Sequence, residues 1–206
     1  MPRRRATSYD SKLVTIRDTA AALFARDGFS RTSMAELANA CGVSKALLYH
    51  YFDSKEAMLF DILRAYLDNL EMVISIDKAA SATRRDHLRA LIGALLGQYR
   101  QAGNTHKLLT FDLPVLPPAQ QQTLRQTERR IMASFETALA DAAAEAGRKA
   151  PLDGPRAMML FGTLNWTYTW FREDGAMTLD AYSDLVTDST ITVSYTHLTL
   201  PTIHLV

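Results

Sequence analysis

The hydrophobic positions of this chain recur at helical spacing along most of its length. Near the start, Ile16, Ala20 and Phe24 lie four residues apart, which places them on one face of an amphipathic helix. Gly28 follows as a residue that can end a helix with a positive φ. The pattern therefore predicts a helix over about 11–27.

The stretch TSMAELANACGVSKALLYHYFDSK, residues 32–55, predicts two short helices joined by a tight turn. Ser33 and Glu36 have the spacing of a capping box, in which the hydroxyl and the carboxylate satisfy amide groups at a helix start. Gly42 supplies a position that tolerates positive φ, and Ser44 is a good N-cap for the second helix. This arrangement is a helix-turn-helix.

The second of these helices has the side chains of a helix that contacts DNA. Leu48, Tyr51 and Phe52 share one face and are predicted to pack inward. The other face offers a small residue, a cation and hydrogen-bonding rings, which suit a DNA groove. These outward residues are Lys45, Ala46, Leu47, Tyr49 and His50. Lys55 follows at a position where its ammonium could reach a phosphate.

A longer helix is predicted from Lys55 to about Ser75, and five more follow it. Their ranges are about 82–101, 105–112, 118–146, 155–171 and 179–188. The fourth of these five contains MMLFGTLNWTYTWF, which is apolar or aromatic nearly all round and must be covered on more than one side. A second copy of the chain is the simplest cover, and an internal helix is the alternative.

Length and composition indicate an ordinary globular protein. The chain has 206 residues, 48% of them hydrophobic, and can bury a sizeable core. No run approaches the roughly 20 apolar residues of a membrane span, and the first residues lack the apolar core of a signal peptide. The single cysteine, Cys41, excludes an internal disulfide and fits a reducing compartment. We predict a cytoplasmic protein with no membrane partner, no metal site and no cofactor.

Positive charge is concentrated at the N-terminal end. Residues 1–55 carry nine Lys or Arg against five Asp or Glu, whereas residues 56–206 carry fourteen against seventeen. A basic end is the footprint of a segment that contacts phosphates. Arg3, Arg4 and Arg5 are predicted to form a flexible arm, which either reaches DNA or stays solvated.

The last segment, STITVSYTHLTLPTIHLV at residues 189–206, differs from the rest of the chain. It has no Lys, Arg, Asp or Glu, is rich in Thr and favours strands. We interpret it as a non-native or disordered tail, with a genuine C-terminal extension as the alternative.

The helix-turn-helix and the helix before it resemble the DNA-binding domain of the tetracycline-repressor (TetR) family of bacterial transcription regulators. The matching residues are Ala21, Phe24, Gly28, Phe29, Thr32, Ala35, Leu37, Ala38, Gly42, Val43, Ser44, Leu48, Tyr49, Phe52, Lys55 and Leu59. The resemblance implies an all-α fold with a three-helix DNA-binding domain at residues 1–55 and a helical ligand-binding and dimerisation domain at residues 56–188. It also implies a homodimeric repressor that is released from a palindromic operator in double-stranded DNA by a small-molecule effector.

Matching to the family motif assigns DNA contacts to particular residues. Lys45, Leu47 and His50 are the predicted base readers. The predicted phosphate binders are Thr32, Ser33, Tyr49, Tyr51 and Lys55, and Ser44 and Ala46 are further predicted DNA-binding residues. Leu47 departs from the family, which usually carries a small or polar residue there. It either meets a thymine methyl group or packs locally.

A second site, for the effector, is expected in the helical body. Its candidate lining residues are Leu91, Leu95, Tyr99, Phe111, Phe135, Met158 and Trp166, although each also suits a plain core. The segments NWTYTWFREDGAMT and LLTFDLPVLPPAQQQTLRQTERR resemble a subgroup associated with fatty-acid, sterol and aromatic-acid catabolism, whose ligands are often acyl-CoA thioesters. In that case the candidates for the coenzyme phosphates are Lys107, Arg125, Arg129 and Arg130; a solvated charged face is the alternative.

No catalytic motif accompanies these features. The five histidines lack HExxH spacing, and there is no GxSxG, Walker-type glycine loop or GxGxxG. We therefore predict a regulator and not an enzyme. The alternative function is a helical small-molecule-binding protein that does not bind DNA specifically.

Overall fold

The computed structural model describes residues 3–147, 153–172 and 174–192, and these residues form helices joined by turns. The α-helices of this part of the chain are α1 (Arg3–Asp27), α2 (Met34–Ala40), α3 (Lys45–Tyr51), α4 (Lys55–Val73), α5 (Arg84–Gln101), α6 (Gly103–Phe111), α7 (Pro118–Glu145), α8 (Asp153–Asn165), α9 (Thr167–Trp170) and α10 (Leu179–Thr192). Two 3₁₀ turns lie at Lys78–Ala80 and Leu113–Val115. Within these ranges there is no strand, so the predicted all-α class is confirmed.

The described chain divides into two compact units. Unit 1 comprises the residues up to 69 together with 102–128, and unit 2 comprises 70–101 together with the residues from 129 onward. Helices α4 and α7 each begin in unit 1 and end in unit 2. The units therefore alternate along the chain, whereas the domains expected from the sequence are consecutive.

Unit 1 is built around the apolar face of α1. Ile16, Ala20 and Phe24 are almost fully buried, and α1 packs against both α2 and α6. Helix α6 is also held by polar contacts: Lys107 Nζ donates to the Ala25 carbonyl at 3.2 Å, and the Tyr66 hydroxyl lies 3.2 Å from His106 Nδ1. The helix-turn-helix thus shares a compact unit with α6.

In unit 2, α5 packs along α10. Arg89 forms a two-pronged ion pair with Asp184, with N–O distances of 2.7 and 3.2 Å. Arg85 donates to Asp188 at 2.7 Å. Hydrogen bonds from these guanidinium groups lower the pKa of the Asp184 carboxyl. Because the Asp184 side chain is partly exposed, we expect solvent to screen much of this attraction.

Two predicted boundaries were wrong. Helix α1 begins at Arg3 and not near Ser11, because the RRRATS sequence contains good helix formers and no glycine or proline that would prevent helix formation. The residues predicted as a flexible arm therefore belong to a helix. Helix α10 continues to Thr192, with Ile191 buried, so the first four residues of the predicted tail, 189–192, are helical. Residues 193–206, the rest of the predicted tail, lie outside the described residues.

The predicted helix 155–171 is interrupted. Helix α8 ends at Asn165, and the rest of the predicted range contains the short helix α9, Thr167–Trp170. Near the break, the Thr167 hydroxyl donates to the Leu164 carbonyl and the Thr169 hydroxyl to the Trp166 carbonyl, both at 2.7 Å. Threonine hydroxyls that bond to nearby carbonyls compete with the regular helix ladder, which explains the break.

Candidate nucleic-acid interface

The first helix of the helix-turn-helix, α2, begins with the predicted capping box. The Glu36 amide donates to Ser33 Oγ at 3.2 Å, and the Ser33 amide donates to Glu36 Oε2 at 2.8 Å. The Ser33 hydroxyl also donates to Glu36 Oε2 at 2.7 Å. The hydrogen bond from the Ser33 backbone amide has the largest effect and lowers the pKa of the Glu36 carboxyl. The hydrogen bond from the Ser33 hydroxyl lowers the same pKa further.

The turn and the recognition helix α3 also form as the spacing predicts. Gly42 has a φ of 63°, in the left-handed region that glycine adopts without strain. Ser44 caps α3 by accepting a hydrogen bond from the Leu47 amide at 3.1 Å. Leu48 is fully buried and anchors α3 against the rest of unit 1. The anchor fixes which side chains of α3 face outward.

Four of the five α3 side chains that were predicted to face outward are exposed. Lys45, Ala46, Tyr49 and His50 are exposed, whereas Leu47 is only partly exposed. The Lys45 ammonium lies 5.8 Å from the centre of the Tyr49 ring, within the range of a cation–π contact. This contact holds the cation over the exposed face of the helix.

Tyr51 lies on the flank of α3. It is half-buried and packs edge-on against His50 with ring centres 5.9 Å apart, and it also contacts Phe52. The predicted inward packing of Tyr51 is therefore partial, and its ring supports the exposed imidazole of His50. The other two residues predicted to pack inward are buried: Leu48 completely, and Phe52 with 6% of its surface exposed.

Two predicted phosphate-binding residues of the α1–α2 loop differ in exposure. Ser33 is exposed, although its hydroxyl is occupied by the capping box. Thr32 is only 3% exposed, and its hydroxyl donates to the Gly28 carbonyl at 2.9 Å. The Thr32 side chain is thus an internal brace of the loop, and it would contact a phosphate only if the loop opened.

The Lys55 side chain turns towards the same loop. Its ammonium donates to the carbonyls of Phe29, Ser30 and Thr32 at 2.9, 3.2 and 3.1 Å. It also lies 4.6 Å from the centre of the Phe29 ring. The sequence placed Lys55 at a phosphate, whereas the structure gives its ammonium three backbone acceptors.

A shallow groove runs between the α1–α2 loop, α3 and the start of α4. It is lined by Ser30, Arg31, Thr32, Ser33, Met34, Ala35, Lys45, Tyr49, Asp53, Ser54, Lys55 and Glu56. Sequence reasoning missed Arg31, which is exposed in this groove and uses its Nε to donate to the Asp27 carbonyl at 2.6 Å. Arg31 could have been predicted as a DNA contact from the sequence, because it directly precedes two predicted DNA-binding residues, Thr32 and Ser33. The groove brings three cationic residues, Arg31, Lys45 and Lys55, and several hydroxyl groups to one face, which suits a phosphate backbone.

The residues expected to line an effector pocket are only partly brought together. Leu91, Leu95, Tyr99 and Phe135 are buried in unit 2. Met158 and Trp166 also belong to unit 2 but are 59% and 56% exposed, and Phe111 belongs to unit 1 and is 53% exposed. These three side chains therefore lie on the surfaces of their units. Among the buried four, the Tyr99 hydroxyl donates to Asn165 Oδ1 at 2.7 Å.

The basic residues expected near a coenzyme have their own partners in three cases. Arg130 forms a two-pronged ion pair with Glu71 at 2.6 and 2.9 Å, and Lys107 donates to α1 as described above. Arg125 acts electrostatically on Glu128, whose pKa is raised chiefly by burial. Arg129 is exposed on α7.

Neither a membrane span nor a metal site emerges from the described residues. No helix in those ranges is both long and apolar enough to cross a bilayer. The same part of the chain contains no cluster of three or more His, Cys, Asp or Glu side chains arranged to hold a metal ion.

The capped helix-turn-helix, its exposed recognition helix and the helical unit 2 define the class of a helix-turn-helix DNA-binding protein. Residues 16–62 match the family model described as "Bacterial regulatory proteins, tetR family". Residues 81–193, more than half of the chain, match the model described as "Tetracyclin repressor-like, C-terminal domain". The chain belongs to the TetR family of bacterial regulatory proteins.

Individual relatives agree with this assignment. A TetR-family transcriptional regulator from Bordetella parapertussis 12822 superposes with a TM-score of 0.78 at 33% identity, over 87% of this chain and 94% of that one. The repressor KstR2 of Rhodococcus jostii is 49% identical over 53 residues, which span about a quarter of each protein, 26% in both cases. AibR, solved with isovaleryl coenzyme A and operator DNA, is 24% identical with a TM-score of 0.72 over 88% of this chain and 97% of that one, and this likeness concerns the fold.

Proposed function

We propose that this protein is a homodimeric transcriptional repressor that binds a near-palindromic operator and is released from it by a small apolar or acyl-CoA-type effector. The observation that carries the proposal is the recognition helix α3, whose ends are capped and whose Lys45, Ala46, Tyr49 and His50 are exposed together. A cation, hydrogen-bonding rings and a small residue on one rigid helix face suit the edges of bases in a major groove.

Binding to a palindrome requires two copies of α3. In a two-fold symmetric dimer, the two recognition helices enter successive major grooves about 34 to 36 Å apart. Unit 2 offers a surface for the second copy, which we call the α8–α10 face. Its large exposed apolar side chains are Met158, Met159, Trp166, Trp170, Met177 and Leu185. An exposed apolar surface of this kind is typical of a protein–protein interface.

The α8–α10 face also has a residue that permits close helix approach. Gly162 is exposed on α8, one turn from both Met158 and Trp166, and a Cβ atom built there meets nothing within 4 Å. The site is open in the single chain, so a neighbouring helix can pack against the backbone at this point. We therefore place the two-fold contact of the homodimer at α8.

The effector proposal is supported more indirectly. Unit 2 contains buried apolar side chains, including Leu91, Leu95 and Phe135, and also the partly buried Tyr99–Asn165 hydrogen bond. Buried apolar groups with a few polar ones are the usual lining of a small-molecule site. AibR, a protein of the same fold, was solved with an acyl-CoA. An effector that prefers one of two dimer geometries shifts their populations, with a coupling of about 1 to 3 kcal/mol in typical cases.

The test is to titrate purified protein into labelled DNA from upstream of its own gene while the salt concentration is varied. We expect a specific complex with two protomers per site and an affinity that falls steeply with salt. The titration is then repeated with a panel of acyl-CoA thioesters, with free coenzyme A as the control. Relief by one thioester and not by coenzyme A supports the effector class.

Other outcomes would change the proposal at defined points. If the protein binds DNA specifically and no thioester weakens this binding, the assignment as a transcriptional regulator stands and the acyl-CoA class of effector is rejected. Activation of a reporter gene by the bound protein, instead of repression, would overturn the repressor assignment. Ligand binding without salt-dependent DNA association would favour the alternative, a helical small-molecule-binding protein.

A further inference from the structure

We infer that Lys55 is a positioning residue of the DNA-binding face, which fixes the α1–α2 loop against α4, and that it is not one of the residues that bind a phosphate. The inference rests on the proposed DNA binding and assigns a role within it. It starts from the number of donors: a lysine ammonium has three N–H groups and no acceptor. Each of the three has a backbone carbonyl at 2.9 to 3.2 Å.

The three carbonyls belong to the α1–α2 loop, where the Phe29 carbonyl also accepts from the Thr32 amide at 3.3 Å. Helix α1 ends at Asp27, and Gly28, with a φ of 89°, turns the chain into the loop. The Asp27 carbonyl accepts from Arg31, and the Gly28 carbonyl accepts from Thr32. The Lys55 ammonium donates hydrogen bonds to the carbonyls of the following residues Phe29, Ser30 and Thr32. Side chains therefore donate to the carbonyls of five of the six residues from Asp27 to Thr32.

The charge of Lys55 also suits this place. The C-terminal end of a helix carries partial negative charge, and a cation near it is stabilised. The Phe29 ring adds a cation–π contact, with the ammonium 4.6 Å from its centre. A move to a phosphate would break at least one of these hydrogen bonds, so a DNA contact would replace an interaction and not simply add one.

The held loop carries part of the DNA-binding face. Ser33, the N-cap of α2, directly follows Thr32, and Arg31 lies between two of the carbonyls that Lys55 binds. Both residues line the groove that Lys45 and Tyr49 also line. The loop forms one wall of the groove. Because Lys55, the first residue of α4, holds the loop, it also sets the position of that wall relative to the recognition helix α3.

Two substitutions separate positioning from phosphate binding. Lys55→Met keeps a side chain of similar length and good helix propensity but removes the three donors. Lys55→Arg keeps the positive charge and binds phosphates well, but its planar guanidinium cannot direct three N–H groups as an ammonium does. If Lys55 is a positioning residue, we expect both variants to bind operator more weakly, with Lys55→Met weakened about tenfold or more.

The salt dependence gives the decisive readout. Each phosphate contact contributes about 0.9 to the slope of log K against log salt concentration. The slope is compared in an Arg31→Ala background, which removes the phosphate contact expected from the loop itself, and there a positioning residue leaves the slope unchanged in Lys55→Met. A slope shallower by about 0.9, with binding restored by Lys55→Arg, would overturn the inference and assign Lys55 to a phosphate; wild-type affinity in Lys55→Met would overturn it as well.

A matched control excludes a general loss of stability. Ile62→Val, on the same helix in the buried core of unit 1, lowers stability without touching the loop. We expect its operator affinity to equal that of the wild type at a temperature where all variants are folded. Equal weakening in Ile62→Val would mean that Lys55 acts only through stability.

Hydrogen exchange tests the loop without DNA. The Thr32 amide donates to the Phe29 carbonyl, and the Glu36 amide to Ser33. We expect both amides to exchange faster in Lys55→Met than in Ile62→Val at equal global stability. Unchanged exchange would overturn the inference even if the wild type bound no DNA, whereas absence of wild-type DNA binding alone would count against the proposed function.

Discussion

The assignment of the dimer interface to the α8–α10 face leads to a quantitative prediction at Gly162. Gly162→Glu places a carboxylate on the exposed side of α8, between the apolar side chains of Met159 and Trp166. In the single chain the substitution has room, because a Cβ atom there meets nothing within 4 Å. Glutamate is also a better helix former than glycine by up to about 1 kcal/mol. We therefore expect the monomer to fold at least as well as the wild type.

The dimer should respond in the opposite way. Removal of a carboxylate from water without a partner costs several kcal/mol, taken here as about 3 kcal/mol. In a two-fold symmetric interface, the substitution occurs twice, which gives about 6 kcal/mol per dimer. Since 1.4 kcal/mol corresponds to a factor of ten, the dimer dissociation constant should rise by about ten-thousandfold. At micromolar concentration the variant should be a monomer.

Sedimentation velocity over a concentration series measures the dissociation constant, and thermal unfolding by circular dichroism checks the fold. Ala144→Glu is the matched control, because it introduces the same carboxylate at an exposed position of α7. We expect this control to behave as the wild type. If Gly162→Glu sediments as a dimer with the wild-type dissociation constant, the α8–α10 face is not the interface.

Four further substitutions test the DNA-binding unit. Lys45→Ala and His50→Ala should each weaken specific operator binding by about 1 to 3 kcal/mol in a fluorescence-anisotropy titration, while Arg129→Ala, in unit 2, should not. Glu36 has a lowered pKa in the folded protein, so its contribution to stability should be present above about pH 4.3 and lost as the pH falls through the folded-state pKa. The difference in urea midpoint between the wild type and Glu36→Gln should therefore shrink on acidification, and a difference independent of pH would contradict this reasoning. Arg31→Ala should flatten the salt dependence of DNA binding by about 0.9, and an unchanged slope would remove Arg31 from the phosphate contacts.

The features of the helix-turn-helix that depend on neighbours in sequence could be predicted. Ser33 and Glu36 are three residues apart, and Ser44 and Leu47 are as well, so the helix geometry itself brings their side chains and amides together. The burial of Leu48 follows from the same periodicity. Family resemblance and local spacing agree here, because both describe one short rigid segment.

Features that depend on residues distant in sequence could not be predicted in this way. Spacing gives no indication that α6 joins unit 1 through Lys107 and His106, or that unit 2 begins within α4. The expected effector residues were chosen for their apolar character, which is common to core and interface positions. Burial then separates them: Phe135 is core, whereas Trp166 is exposed and fits the proposed α8–α10 contact.

Two of the three cationic residues that line the groove, Lys55 and Arg31, show why composition alone does not identify phosphate contacts. Lys55 and Arg31 both contribute positive charge near the helix-turn-helix, and the sequence favours Lys55 because the family motif includes it. In the structure, all three N–H groups of Lys55 face carbonyls, whereas Arg31 uses Nε for the Asp27 carbonyl. A guanidinium has five N–H donors, so one bond to the loop leaves a fork that suits a phosphate. The structure thus favours Arg31 over Lys55 as the phosphate contact of this groove. Arg31 has enough N–H donors to bind the loop and a phosphate at the same time, whereas all three donors of Lys55 are used by the loop.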